Sequence, residues 1–241
     1  MISTGNDIVS LYATNSTRTK QFGFYSKILS ASEQALNNEP ELAAFPFENF
    51  VWLLWSIKES AFKYLQRINP ELVFSPTKFV VKQFQIPFGY SVVNFDSTKT
   101  EGIGFDSKSK VVFKGTINFG CYSLYSRSII YKELIFTVVN GLENFENTYW
   151  GVKLINNPSP QYQSMAVREF LSDRLHRLFP MENLVIGKSL HGFPILLKGS
   201  KEIAIPVSLS HHDRLIAYSL QTHRHHKNYF DSEKNLTRTK L

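Results

Sequence analysis

Trp55-Ser56-Ile57-Lys58-Glu59-Ser60-Ala61-Phe62-Lys63 is the stretch whose reading decides the fold. It lies in a run from Phe47 to Ile68. There Phe50, Leu53, Leu54, Ile57, Ala61, Tyr64, Leu65 and Ile68 recur at three- and four-residue spacing, which predicts a long helix with one apolar stripe. Pro46 just ahead of the run and Glu48 in its first turn suit a helix start. Glu59 and Lys63, four apart, stack on one side of that helix, away from the stripe. Taken alone they are a surface ion pair adding about 0.2–0.5 kcal/mol to the helix. The rest of the chain gives them a second meaning.

Ahead of the helix, Ile2–Leu11 reads as a short buried strand, with Gly5 permitting close backbone approach just before Asp7. An acid at that strand end is either a turn-former or a ligand. Phe22–Leu29 and Ser32–Asn37 read as two short helices; Ser30 and Glu33 have capping-box spacing, and Ser32 is a second candidate cap. Beyond Pro70 the apolar period falls to two. Lys78–Ile86, Gly89–Phe95, Lys110–Ile117 and Gly120–Tyr125 are expected strands, with a polar loop over Asp96–Lys108. Ser128–Val139 is a long β-branched and aromatic run ending in an Asn140-Gly141 turn, and Tyr149–Ile155 is a further strand. A second helix is expected over Gln161–Phe179, stopped by Pro180, then strands at Leu184–Gly187, Phe193–Leu197, Ile203–Ser208 and Leu215–Leu220. Thr222–Leu241 is charged, lacks periodicity and is expected to fray.

Laid side by side, these elements form two similar series, each a strand, a long helix and then short strands. Met165-Ala166-Val167-Arg168-Glu169 aligns with Trp55–Glu59, and Ser208–His211 aligns more loosely with Ser123–Arg127. The expectation is an α+β fold built as a pseudo-dimer of two halves, residues 1–127 and 128–221, followed by a charged tail over 222–241.

The 241 residues suffice for a sizeable core, and 43% hydrophobic content with 14% aromatic residues excludes a disordered chain. A net charge of +7 favours acidic partners without choosing among nucleic acid, anionic membrane, phosphorylated ligands and acidic proteins. One cysteine, Cys121, excludes an internal disulfide and a cysteine-based zinc site and suggests a reducing compartment. Met1–Asp7 lacks a basic region followed by an apolar run, so no signal peptide is expected. The longest apolar run, Phe50–Trp55, is far short of the ~20 residues that span a bilayer, and a cytoplasmic location is expected.

Three short signatures stand in order: Gly5-Asn6-Asp7-Ile8, then Trp55–Lys63, then Ser208-Leu209-Ser210-His211, with Gly192-Phe193-Pro194 ahead of the third. Together they resemble the 4′-phosphopantetheinyl transferase superfamily, whose patterns run G-x-D-I, W-x-x-K-E-[SA]-x-x-K, G-x-P and S-x-S-H. The acid-first, Ser-His-last order resembles the holo-acyl-carrier-protein synthase group, as does Phe24–Leu29 followed by Ser32-Glu33. The length and duplication look like the larger surfactin-type group. The chain departs from the family in three places. Val9 stands where the larger group often has a second acid, Gln66–Pro70 replaces a Gly-rich turn, and Phe193 stands where many members carry a lysine.

That resemblance implies a magnesium-dependent transfer of 4′-phosphopantetheine from coenzyme A to a serine of an acyl or peptidyl carrier protein of fatty-acid or polyketide biosynthesis. Asp7 and Glu59 would be the metal ligands, with water as the third as in the smaller group. Magnesium is typically held by one or two carboxylates plus substrate phosphates. Glu59 and Lys63 would be the catalytic pair, Lys63 neutralising charge on phosphate in the transition state. Lys58, Lys63, Gly192, Pro194, Ser210 and His211 would contact coenzyme A. The implied partner is an acidic carrier protein, with no nucleic acid or membrane partner and a monomeric chain. A transferase-like protein that binds carrier or coenzyme A without catalysis is the alternative. Two others are weaker: a metal site at His223, His225 and His226 lacks a shaped cavity, and Tyr122 and Tyr125 read as strand core rather than base-stacking residues.

Overall fold

A computed structural model describes residues 3–42, 45–106 and 108–222; His223, His225, His226 and the tail from residue 223 onward lie outside the described residues. The chain begins with strand β1 (Gly5–Ser10), three short helices α1 (Ser16–Thr19), α2 (Phe22–Tyr25) and α3 (Ala31–Leu36), and the long helix α4 (Phe47–Gln66). Strands β2 (Val80–Gln85), β3 (Glu101–Ile103), β4 (Val112–Phe119), β5 (Tyr122–Ile130), β6 (Leu134–Asn140) and β7 (Thr148–Leu154) follow. Helix α5 (Pro160–Leu178) then leads to β8 (Leu184–Lys188), β9 (Pro194–Lys198), β10 (Lys201–Ile203), β11 (Val207–His212) and β12 (Leu215–Gln221). Every strand pairing is antiparallel. The sheets run β1-β6-β5-β4-β2, β11-β12-β7-β3 and β10-β9-β8.

The two long helices lie on the outer faces and the two larger sheets pack between them. The expected stripe of α4, from Phe50 to Leu65, is buried against Val9, Phe113, Ile117, Ile135 and Val139, whereas Ile68 lies past the helix end and is exposed. Strand β6 shows how the layers are separated. Ile135 and Val139 join the α4 core, while Leu134, Phe136 and Val138 join Val152, Leu215 and Ala217 between the sheets. That is why its sequence is apolar at consecutive positions. Helix α5 closes the other side with Val167, Phe170, Leu171 and Leu175 against Val207, Ile216, Tyr218 and Leu220.

The mixed α and β content with antiparallel sheets agrees with the expected fold class, and the capping box at α3 forms between Ser30 and Glu33. Five local expectations differ. Ile203–Ser208 is not one strand but spans the end of β10 and the start of β11, with residues 204–206 outside both. Gly89–Phe95 is not a strand: Val92 and Val93 are exposed, and alternation alone cannot make a strand without a neighbouring edge. β3 instead forms inside the expected polar loop. Glu101 pairs with β7 there and its carboxylate receives the Tyr218 hydroxyl, Arg177 and, at 3.9 Å, Arg174. The run Ser128–Val139 is the end of β5 and the start of β6, folded at Tyr131–Glu133, where Tyr131 N donates to Leu134 O. Helix α1 was not expected, although Asn15 caps it by accepting from Arg18 N at 2.8 Å. The expected boundary after residue 127 falls within β5, and β6 beyond it pairs with β1, so the sheet carrying Asp7 continues to Asn140.

Candidate active site

Helix α4 lies directly on β1 because Gly5 has no side chain to keep it away. A Cβ there would collide with the Ser60 carbonyl oxygen and stand 2.7 Å from Tyr64 N. This approach brings Lys63 within reach of the strand. Its ammonium donates to Asn6 O at 3.0 Å and to Asp7 Oδ1 at 3.2 Å, and it pairs with Glu59 Oε1 at 3.2 Å. The i,i+4 pair read from the sequence therefore exists, with a strand carboxylate added to it. Asp7 Oδ2 is buried and has no hydrogen-bond partner.

Electrostatics separates the three groups. Burial pushes the Asp7 carboxyl up to about 7; Lys63 opposes the shift and Glu59 adds to it. Burial pulls the Lys63 ammonium down, but Asp7 and Glu59 together outweigh it and hold the group above its ordinary value. Lys63 is thus a charged ammonium flanked by two acids, and Asp7 is a carboxyl raised by its burial.

The other wall comes from β11. No ladder joins β1 to β11; side chains do so instead. Asn6 N donates to Ser208 Oγ at 3.0 Å, Asn6 Nδ2 to Ser210 Oγ at 2.8 Å, and Ser10 N to His212 Nδ1 at 3.1 Å. An accepting Nδ1 means that His212 is neutral there, in keeping with burial lowering its pKa against the opposing fields of Asp213 and Glu59. His211 is exposed, and its pKa is lowered by burial of part of the ring and then by Lys63, with Glu59 opposing. One chain thus brings Asp7, Glu59 and Lys63 beside Ser210 and His211. Ser210 is buried and already bonded to Asn6, whereas His211 is open to a ligand.

Gly192 and Pro194 sit at the β8–β9 turn, where Gly192 adopts φ 90°, a conformation that favours glycine. The turn reaches the end of α4 through Arg67, which donates from Nη2 to Pro194 O at 2.6 Å and to Val207 O. Lys58 is not part of this group. It is fully buried and donates to Ile28 O and Glu33 Oε2, both at 2.6 Å, so the expected coenzyme A contact is corrected to an internal ion pair. Residue 58 follows the apolar Ile57 around the helix and points into the α3–β2 side, where Glu33 also accepts from Val81 N at 2.8 Å. Sequence reasoning passed over Asn6, Ser208, His212 and Arg67. Two signals were legible: Ser208 opens the Ser208–His211 signature, and Arg67 extends the Glu59–Lys63 spacing by four more residues.

The donors suit a hard divalent cation. Asp7 offers an unspent buried oxygen, and the Glu59 side chain is 28% exposed. Among the described residues no group of three or more His, Cys, Asp or Glu side chains could hold a metal ion, so an ion here would have two carboxylates and complete its shell with water or substrate oxygens.

Residues 3–99 match the family model for the 4′-phosphopantetheinyl transferase superfamily. The match covers Asp7, Glu59 and Lys63 but not Gly192, Pro194, Ser210 or His211. No curated protein and no solved structure matches the chain.

Proposed function

Over residues 3–99 the chain belongs to the 4′-phosphopantetheinyl transferase superfamily, and from that premise we propose that it is a holo-acyl-carrier-protein synthase, transferring 4′-phosphopantetheine from coenzyme A to a serine of a carrier protein. The observation that carries this reading is the Asp7–Lys63–Glu59 contact set beside His211. Asp7 and Glu59 would hold magnesium, which would supply Lewis-acid polarisation of the pyrophosphate of coenzyme A. Lys63, kept charged by the two acids, places positive charge where negative charge develops on the transferred phosphoryl group. His211 approaches from the opposite strand and contacts a phosphate of coenzyme A, with Ser210 fixing its strand through Asn6. The serine oxygen attacks the phosphorus that bears pantetheine, the bond from that phosphorus to the bridging oxygen breaks, the serine proton passes to solvent, and adenosine 3′,5′-bisphosphate leaves.

The two-half organisation belongs to the same proposal. The order β1-β6-β5 with α4 recurs as β7-β12-β11 with α5, which supports a duplication. Register then sets the counterparts. Asp7 lies opposite Thr137, the fourth residue of β6, and Gly151 lies opposite Tyr218, the fourth of β12. The second half therefore has glycine where the first has its metal ligand. In this reading one site works, its two sides come from one chain, and the active protein is a monomer located in the cytoplasm. Among the described residues no helix is long and apolar enough to cross a membrane.

Mass spectrometry of an apo carrier protein after incubation with the chain, coenzyme A and magnesium tests the reading. The expected result is a gain of one phosphopantetheine per carrier that requires magnesium and is lost in folded Asp7→Ala and Glu59→Ala. An unmodified carrier, with coenzyme A still bound, would favour the non-catalytic alternative.

A further inference from the structure

Arg67 is a cation held between three elements without an acid against it. It caps the C-terminal end of α4 and stands four residues beyond Lys63, which itself stands four beyond Glu59, so the three charged residues run down one side of the helix. Its Nη2 donates to two main-chain carbonyls on different strands, Pro194 O of β9 and Val207 O of β11. The guanidinium also lies over the Phe193 ring, 5.0 Å from its centroid. No ion pair forms with any described acid, although the field of Glu202 reaches it. Burial draws its pKa down to about 10, which still leaves it charged at neutral pH.

The partners of Arg67 give that charge its meaning. Val207 begins the strand that carries Ser210 and His211, and Pro194 closes the turn that contains Gly192. Behind the site the two sheets meet through an apolar layer of Ile8, Phe136 and Val138 against Leu215 and Ala217, but β1 and the strand of Ser210 and His211 are joined by the polar bonds of Asn6 and Ser10, which are hydroxyl and imidazole contacts that small shifts can break. The Nη2 that bridges the two carbonyls belongs to a planar guanidinium seated over the Phe193 ring, and that plane fixes separation and angle in a way that an ammonium on a flexible stem does not. We propose that Arg67 is a positioning residue. It locks the strand of Ser210 and His211 and the Gly192–Pro194 turn against the helix of Glu59 and Lys63, and so sets the affinity for coenzyme A without touching the reacting bond.

This inference rests on the proposed coenzyme A site, and the test separates the two. Coenzyme A binding is measured by calorimetry with magnesium for the wild-type chain, Arg67→Met and Arg67→Lys, and carrier modification is followed in parallel. The expected result is Kd raised about tenfold in Arg67→Met, equivalent to about 1.4 kcal/mol, and partly recovered in Arg67→Lys. Transfer at saturating coenzyme A should keep its kcat within about threefold, and KM for the carrier should stay unchanged. If Arg67→Met does not fold, Arg67→Lys decides alone, with Kd expected to be intermediate. Wild-type Kd in the variants, or a fall in kcat with Kd unchanged, would overturn the positioning role while leaving the transferase reading intact. Wild-type binding without transfer, with the variants weakened, would sink the transferase reading and keep Arg67. Absence of coenzyme A binding by the wild type would remove both.

Discussion

Gly5 and Ser60 meet backbone to backbone: the glycine leaves no room for a Cβ beneath the Ser60 carbonyl oxygen, and α4 rests on β1 at that point. The contact explains why glycine stands two residues before Asp7. It sets how far the Lys63 ammonium must reach to touch Asn6 O and Asp7.

Gly5→Ala should therefore cost stability and geometry together. Overpacking commonly costs about 1–3 kcal/mol, and the obstacle here is main chain rather than a movable side chain, which favours the upper part of that range. Thermal denaturation should show a lowered Tm, and transfer should fall at temperatures where the variant is still folded. A variant with the wild-type Tm would show that the helix is not held by this contact.

The buried Lys58–Glu33 pair predicts a different pattern. Both side chains are fully buried, and Glu33 additionally receives Ser30 N at 2.7 Å and Val81 N at 2.8 Å. Removing one partner of such a pair costs about 3–5 kcal/mol because the other charge is left unpaired. Lys58→Met should lower the denaturation midpoint by that order, while coenzyme A affinity in the folded fraction stays unchanged. A stable Lys58→Met with weakened coenzyme A binding would restore Lys58 to the binding site.

How much of this was legible follows from which interactions are local. The stripe of α4 and the capping box at Ser30 and Glu33 are set within a few residues, so spacing announced them. Glu59 and Lys63 were legible as a pair for the same reason. That Asp7 joins them depends on a strand more than fifty residues earlier, and it emerged only through resemblance to a known pattern. Lys58 sits beside Glu59 in sequence, yet one residue is about 100° around a helix, enough to turn it toward Glu33 instead. Strand β3 was missed because its stability comes from the edge of β7 and the Arg174, Arg177 and Tyr218 side chains, none of them near Glu101 in sequence. Arg67 acts on carbonyls that belong to β9 and β11, which no periodicity could have assigned.

Asp7 makes the metal-free protein sensitive to pH. Its folded-state pKa is raised from 3.8 to about 7, mainly by burial, so between those values the folded state binds a proton that the unfolded state has lost. Stability then falls as pH rises from about 4 to about 7, by at most about 4 kcal/mol from this group, and is flat above that range. Urea denaturation in the presence of a chelator should show this slope, and Asp7→Asn should flatten it. A magnesium ion held by Asp7 would displace the same proton, so magnesium affinity is expected to rise with pH through about 7. A slope that survives unchanged in Asp7→Asn would assign the titration to another group.

Net charge governs the last expectation, the encounter with the carrier. The chain carries +7 at neutral pH, and an acidic carrier would be drawn to it before any specific contact forms. Such steering acts on association and is screened over a Debye length of about 10 Å at 0.1 M salt, so kcat/KM for the carrier should fall as salt rises while kcat holds. Coenzyme A is itself anionic and would confound the measurement, so it must be kept saturating at every ionic strength. Under that condition the salt dependence belongs to the carrier alone. An unchanged kcat/KM between about 20 and 150 mM salt would mean that apolar contacts, rather than charge, bring the carrier to the site.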